Sequence, residues 1–229
     1  MPKICVPIIG ENREEILQAA REVKKHGIDI IEWRSDYYKE VLDYDRLISL
    51  LIELREVVKE TVIIFTFRTS SEGGNGGVSD KIYEELNIKI AESGLVDIID
   101  IECMSKEKIA RKLIEKIHER GTKVIGSSHN FNNTPSTEII EKKFMKINNF
   151  GVDILKIATM SNSEKDSLNM ILASKNISDK LFDKAVISIC MGNYGMATRL
   201  LGSAITFAFM GEGSAPGQIS ALDLKKIFR

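Results

Sequence analysis

DILKIATM, residues Asp153–Met160, places a lysine in the middle of an apolar run. Apolar residues on both sides of Lys156 read as a strand covered on both faces, the pattern of a parallel sheet. An ammonium in such a strand is expensive unless its charge is met or removed, and lysine is almost never fully buried unpaired. The fold has to supply a place for that side chain that is not core.

Seven other runs share the character of this one. They are KICVPII (3–9), IDIIEWRSD (28–36), TVIIFTFR (61–68), VDIIDIEC (96–103), TKVIGSSH (122–129), AVISICM (185–191) and SAITFAFM (203–210). Stretches with helical spacing lie between them, among them REEILQAAREVKKHG and YDRLISLLIELREVVKE. Gly27, Gly94, Gly121 and Gly151 fall at or near the ends of four such stretches, where helix C-caps are expected. Eight strand–helix units in 229 residues predict an α/β protein, a single-domain (β/α)8 TIM barrel over 1–229. An open doubly wound sheet is the rival.

The polar residues decide between the two. Side chains alternate faces along a strand. Glu32 and Arg34 are two apart, as are Thr66 and Arg68, Asp100 and Glu102, and Ser127 and His129, all near C-terminal strand ends. Lys156 shares a face with Ile154, Ala158 and Met160, leaving Leu155, Ile157 and Thr159 to pack on helices. Charges from five strands have a reason to converge only in the upper lumen of a barrel, where barrel active sites lie.

Bulk properties exclude other classes. The chain is 43% apolar and 28% charged with a formal net charge of −1, and no block of like charge suggests nucleic acid or a membrane surface. No apolar run approaches a membrane span, and the N-terminus reads as a first strand and not a signal peptide. Cys5, Cys103 and Cys190 lie far apart in strand-like runs without metal-ligand spacing, which predicts reduced, buried thiols in a cytoplasm.

The chemistry follows from a short list of candidates. A lysine amine attacks a carbonyl only when neutral, and its reference pKa is about 10.4. Desolvation and the charges of Arg34, Arg68 and Arg199 are expected to bring Lys156 down toward about 7–8. The product is a Schiff base, an electron sink that acidifies the neighbouring carbon. His129 is the natural proton carrier and a carboxylate is expected to orient it. His26 and His118, near helix C-termini, read as surface residues. Arginines suit an anionic substrate. Arg199 is expected on the helix after the seventh strand, where spacing alone equally fits an exposed arginine. Two glycine-rich loops, 69–80 and 211–220, fit either a mobile lid or, for the second, a phosphate cradle.

These stretches together resemble type I 3-dehydroquinate dehydratases, the Schiff-base-forming lyases of the shikimate pathway and aromatic amino acid biosynthesis. The resemblance rests on Glu32-Trp33-Arg34, Phe67-Arg68-Thr69 with Glu72-Gly73-Gly74, Ser127-Ser128-His129-Asn130-Phe131, Lys156-Ile157-Ala158, Met191-Gly192 with Thr198-Arg199, and Ser214-Ala215-Pro216-Gly217-Gln218-Ile219. It implies that Lys156 forms the imine with 3-dehydroquinate, that His129 assists imine formation and hydrolysis, takes the proton from the carbon next to the imine and helps the hydroxyl leave as water, and that Glu72 orients and charge-balances His129. It implies that Arg199 pairs with the substrate carboxylate, that Glu32, Arg34 and Arg68 position hydroxyls, that Ser214 and Gln218 close over the substrate, and that Met191 and Phe207 pack against it. It further implies 3-dehydroshikimate as product, no metal or organic cofactor, and a cytoplasmic homodimer. Members often carry serine where this chain has Pro7, so no role is carried to that position. The alternatives are a Schiff-base aldolase acting on a phosphosugar, with the same barrel and lysine, and a non-catalytic barrel that binds a small acid.

Overall fold

The structure, a computed structural model, describes residues 1–211 and 216–228. All eight apolar runs form parallel strands: β1 (Lys3–Ile8), β2 (Ile30–Arg34), β3 (Val62–Thr66), β4 (Ile98–Glu102), β5 (Lys123–Asn130), β6 (Ile154–Met160), β7 (Ala185–Met191) and β8 (Ile205–Phe207). Seven α-helices are described: α1 (Arg13–Lys25), α2 (Tyr44–Val58), α3 (Asp80–Ser93), α4 (Glu107–His118), α5 (Thr137–Asn148), α6 (Glu164–Lys180) and α7 (Ala221–Ile227). A 3-10 segment, Asn193–Arg199, stands where the seventh barrel helix was expected.

Local chemistry sets the helix ends. Asn12 opens α1 by accepting from the Glu15 backbone N–H at 3.1 Å, and its amide donates to the Glu15 carboxylate at 2.7 Å, so first-turn groups are met at once. The four glycines expected as helix stops all have positive φ, between +58° at Gly27 and +88° at Gly151.

The sheet runs β7-β6-β5-β4-β3-β2-β1-β8, with β1 pairing in parallel with both β2 and β8. No strand ladder joins β7 to β8 among the described residues. That seam is closed differently: the Ala204 N–H donates to the Val186 carbonyl at 2.8 Å. Ser203 Oγ both accepts from the Ser188 N–H and donates to its carbonyl, each at 2.9 Å. The fold is a (β/α)8 barrel.

Register gives the lumen its layers. Ile125 faces Ile154, Ser127 faces Lys156, and His129 faces Ala158 across β5 and β6. Cys5, Ile30, Ile64, Ile98, Ile125, Ile154, Ile187 and Ile205 form one buried cluster in the lower lumen, separate from the larger core between sheet and helices. Burial of each such side chain is worth roughly 1.5–3 kcal/mol. Above this apolar floor the same strand faces carry Glu32, Thr66, Asp100, Ser127 and Lys156, so the expected inward parity holds. Leu155 and Ile157 pack outward into the helix-facing core. Cys5, Cys103 and Cys190 are free and buried, and burial pushes all three thiols up.

Candidate active site

One pocket at the C-terminal mouth of the barrel is lined by Lys156, His129, Glu72, Glu32, Arg34, Arg68, Arg199, Met191, Phe207 and Gln218. These are the site residues expected from sequence, drawn from five strands and the segments that follow strands, with one exception. Ser214 lies outside the described residues.

Lys156 sits at 3% exposure, its Nζ donating to Glu32 Oε1 and Asp100 Oδ2 at 3.0 Å each, with the Phe207 ring centroid 4.3 Å away. Here the structure corrects the expected charge state. Burial does push the lysine down, and Arg68 adds to that. The Asp100 and Glu32 carboxylates more than offset both, so the Lys156 pKa is raised and the resting side chain is an ammonium. Asp100, between Lys156 and Arg68, is what reverses the effect expected of the arginines.

Asp100 is the hub. Its Oδ2 also accepts from Arg68 Nη2 at 2.8 Å, and its Oδ1 accepts from Ser127 Oγ at 2.5 Å. Burial favours its neutral form, but Arg68 and Lys156 hold its carboxyl far below the usual range. Arg68 is thereby neutralised: it donates to Asp100, to Glu102 at 3.1 Å and to Ser127 at 3.0 Å. Its charge is met by carboxylates, and what reaches Lys156 is outweighed there by Asp100 and Glu32.

Glu102 anchors the loop that follows β3, accepting from the Thr69 N–H at 2.7 Å and Thr69 Oγ at 2.5 Å. Asp36 does the same from the β2 side. Its carboxylate takes a two-pronged contact from Arg34, at 2.8 and 2.9 Å, and accepts the backbone N–H groups of Arg68 at 3.3 Å and Asn75 at 3.1 Å. Asp36 was not foreseen, yet a signal existed: 32, 34 and 36 share parity in EWRSD. Glycines let the loop fold this tightly. A Cβ on Gly74 would stand 2.2 Å from the Arg68 carbonyl oxygen.

The anchored loop presents Glu72, whose Oε2 lies 2.9 Å from His129 Nδ1 and accepts the His129 backbone N–H at 3.1 Å. Burial pushes the Glu72 carboxyl up to about 7, against the pull of Arg68. Burial, then Arg68 and Lys156, push the His129 imidazole well below its ordinary value. The two groups share one proton, and His129 turns Nδ1 to Glu72 while its ring lines the pocket.

Arg199 closes the opposite wall from the 3-10 segment, at 2% exposure. The expected α-helical placement is therefore corrected, and so is the exposed-arginine alternative. Among the described residues only Nη1 finds a partner, the Phe207 carbonyl at 3.3 Å, while Nε and Nη2 are buried with no hydrogen bond there. Burial lowers its pKa to about 10, so it remains a cation at neutral pH. A buried guanidinium with two unmet N–H groups lining a pocket is a slot for an anion that can accept two bonds. The second glycine-rich loop approaches this wall: the Gly192 N–H donates to the Pro216 carbonyl at 3.1 Å, and Gly217 is close-packed on Gly192.

Fold and site define a β/α barrel with a buried amine, an imidazole–carboxylate pair and an anion slot around one cavity. Comparison with known proteins narrows this: the model of the type I 3-dehydroquinase family matches residues 4–229, and the chain belongs to that family. It is 40% identical over 228 residues to the 3-dehydroquinate dehydratase of Klebsiella pneumoniae (strain 342), covering 98% of this chain and 91% of that protein. The Bacillus licheniformis 3-dehydroquinate dehydratase is 38% identical, with 99% and 91% covered. The crystal structure of type I 3-dehydroquinate dehydratase from Clostridium difficile, with covalently modified comenic acid, superposes with a TM-score of 0.94 at 38% identity, covering 99% of this chain and 91% of that one. A carboxyl transferase domain of Rhizobium etli pyruvate carboxylase, at 13% identity and a TM-score of 0.67, shares the fold alone.

Proposed function

We propose that this chain is a 3-dehydroquinate dehydratase, a hydro-lyase that eliminates water from 3-dehydroquinate through an imine on Lys156. The carrying observation is the buried Lys156 amine sharing one cavity of a type I 3-dehydroquinase barrel with the Arg199 guanidinium, whose Nε and Nη2 have no partner among the described residues. The substrate carboxylate docks on Arg199 Nε and Nη2, and this aims the ketone at Nζ. The imine draws electrons from the adjacent carbon, and the unprotonated His129 takes that carbon's proton. The same imidazole then returns a proton to the departing hydroxyl, giving water and 3-dehydroshikimate. Glu72 holds the ring by Nδ1 and buffers its charge. Glu32, Arg34 and Arg68 meet substrate hydroxyls, with Arg34 braced by Asp36. Met191 and Phe207 pack on the carbon ring, and Gln218 with Ser214 covers it.

The covalently modified ligand in the Clostridium difficile relative supports a nucleophile in this site. The same reading carries a cytoplasmic homodimer in the shikimate route. Exposed Leu168, Leu172, Tyr194 and Met196, on α6 and the neighbouring 3-10 segment, support association, and the reduced, buried cysteines suit a reducing compartment. The test is direct. Purified protein with 3-dehydroquinate should produce the ultraviolet absorbance of the conjugated product, and Lys156→Ala should abolish it. Full activity in Lys156→Ala rejects the mechanism, and an inactive wild-type protein rejects the substrate.

A further inference from the structure

Imine formation needs a free amine, yet Lys156 rests as an ammonium between two carboxylates, each 3.0 Å from Nζ. One proton has to leave before attack. The two carboxylates are not equivalent acceptors. Asp100 is saturated, with Oδ1 taken by Ser127 and Oδ2 shared between Arg68 and the lysine, and it does not line the pocket. Glu32 lines the pocket beside Lys156. Its Oε1 accepts only from Thr66 Oγ, at 3.0 Å, and from Nζ, and its second oxygen has no hydrogen-bond partner among the described residues.

The other titratable and charged groups around Nζ are committed elsewhere. Arg34 on β2 is held by Asp36, Arg68 after β3 by Asp100 and Glu102, and His129 on β5 faces Glu72. Arg199, across the cavity, is a cation and takes no proton at neutral pH. Cys5 on β1 lies below in the apolar floor with its thiol pushed up by burial.

We propose that Glu32 is the catalytic base that frees the Lys156 amine for imine formation, while Asp100 is the fixed anion that keeps Nζ in position. This rests on the imine reading of the site. The steps balance. Nζ gives one proton to Glu32, and the neutral amine adds to the ketone carbon. A nitrogen proton passes to the new alkoxide, giving a carbinolamine. Glu32 then returns its proton to the carbinolamine hydroxyl, which leaves as water. The carbon–nitrogen double bond forms with its charge retained beside Asp100, so no net proton crosses the site.

The experiment has two arms. Wild-type protein mixed with 3-dehydroquinate and borohydride is digested and read by mass spectrometry. Label on Lys156 upholds the imine reading, and its absence overturns that reading and the proposal together. With label present, rapid quenching measures the rate of adduct formation between pH 7.5 and 9. Wild type should give a nearly flat profile. Glu32→Gln should be slower by about 100-fold at the low end and should rise about tenfold per pH unit, because the lysine then loses its proton only to solvent. Asp100→Asn should change the rate and leave the profile flat. A wild-type rate in Glu32→Gln, or an equal loss at every pH, overturns the assignment, as does a rising profile confined to Asp100→Asn. Should Glu32→Gln fail to fold, Glu32→Ala is the second variant. Added formate should restore its adduct formation saturably, and a folded Glu32→Ala that formate does not rescue overturns the proposal.

Discussion

Arg199 holds a buried charge that a docked anion would meet. Two of its nitrogens are buried without partners among the described residues, and a buried unmet charge typically costs several kcal/mol. Arg199→Ala should therefore raise KM by about 100-fold while leaving the ligand-free protein as stable as wild type or more so by about 1–3 kcal/mol. Thermal melts with and without substrate check both halves: substrate should raise the wild-type midpoint and not that of the variant. The Glu72–His129 pair makes a second prediction. Its shared proton is held until about pH 7 through the raised Glu72 carboxyl, and His129 is a base only once that proton leaves. The rate constant kcat/KM should rise with pH through about 7. In Glu72→Gln the imidazole is left among cations, so the limb should move below the ordinary histidine value of 6.5. The stability signs oppose one another. The raised Glu72 pKa contributes stability present below 4.5 and lost as pH rises toward 7. The depressed His129 pKa makes stability rise with pH up to 6.5. Folded and unfolded pairs each hold about one proton between those values, so the wild-type contributions offset. Glu72→Gln alone should gain stability as pH rises to 6.5, read from urea midpoints.

Among the elements, the loop after β3 shows how much a sequence discloses. Its glycines and its Glu72 were readable, since TSSEGGNGG stands out in a chain of regular strands and helices. What held the loop was not readable: parity could place Asp36 and Glu102 on the inward face, but not the loop N–H groups that they accept from. The same limit explains the lysine. Parity put Asp100 in the lumen, but only the barrel's curvature brings β4 and β2 onto Nζ together. Strands and helices were legible because each is a local periodicity. The 3-10 segment was not, since it depends on tertiary closure. The loop gives a paired prediction. Gly74→Ala should destabilise by about 1–3 kcal/mol and lower kcat by displacing Glu72, because its Cβ meets the Arg68 backbone at 2.2 Å. Gly77→Ala meets nothing within 4 Å and should be neutral or stabilising by up to about 1 kcal/mol. Calorimetry and steady-state kinetics on the two variants read the contrast.

On the scale of the whole molecule, the barrel separates stability from chemistry by height. The isoleucine floor lies below the charged layer, and its cluster reaches the substrate pocket through Met191 and Phe207. Ile125→Ala should cost about 2–5 kcal/mol in denaturant unfolding while the folded fraction keeps most of its kcat. A comparable loss of kcat at full folding would mean that floor and site are coupled. The join at β8 has a consequence for how the chain is made. The bond partners of β1 on that side are residues 205–207, about 200 positions downstream. At translation speeds of about 5–20 residues per second, the first strand emerges with one edge unsatisfied and waits roughly 10–40 s for its neighbour to be synthesised. During that interval Ile4 and Cys5 present an open, apolar strand edge to every other nascent chain nearby. Slow synthesis and crowding should therefore limit the yield of this protein more than its final stability does.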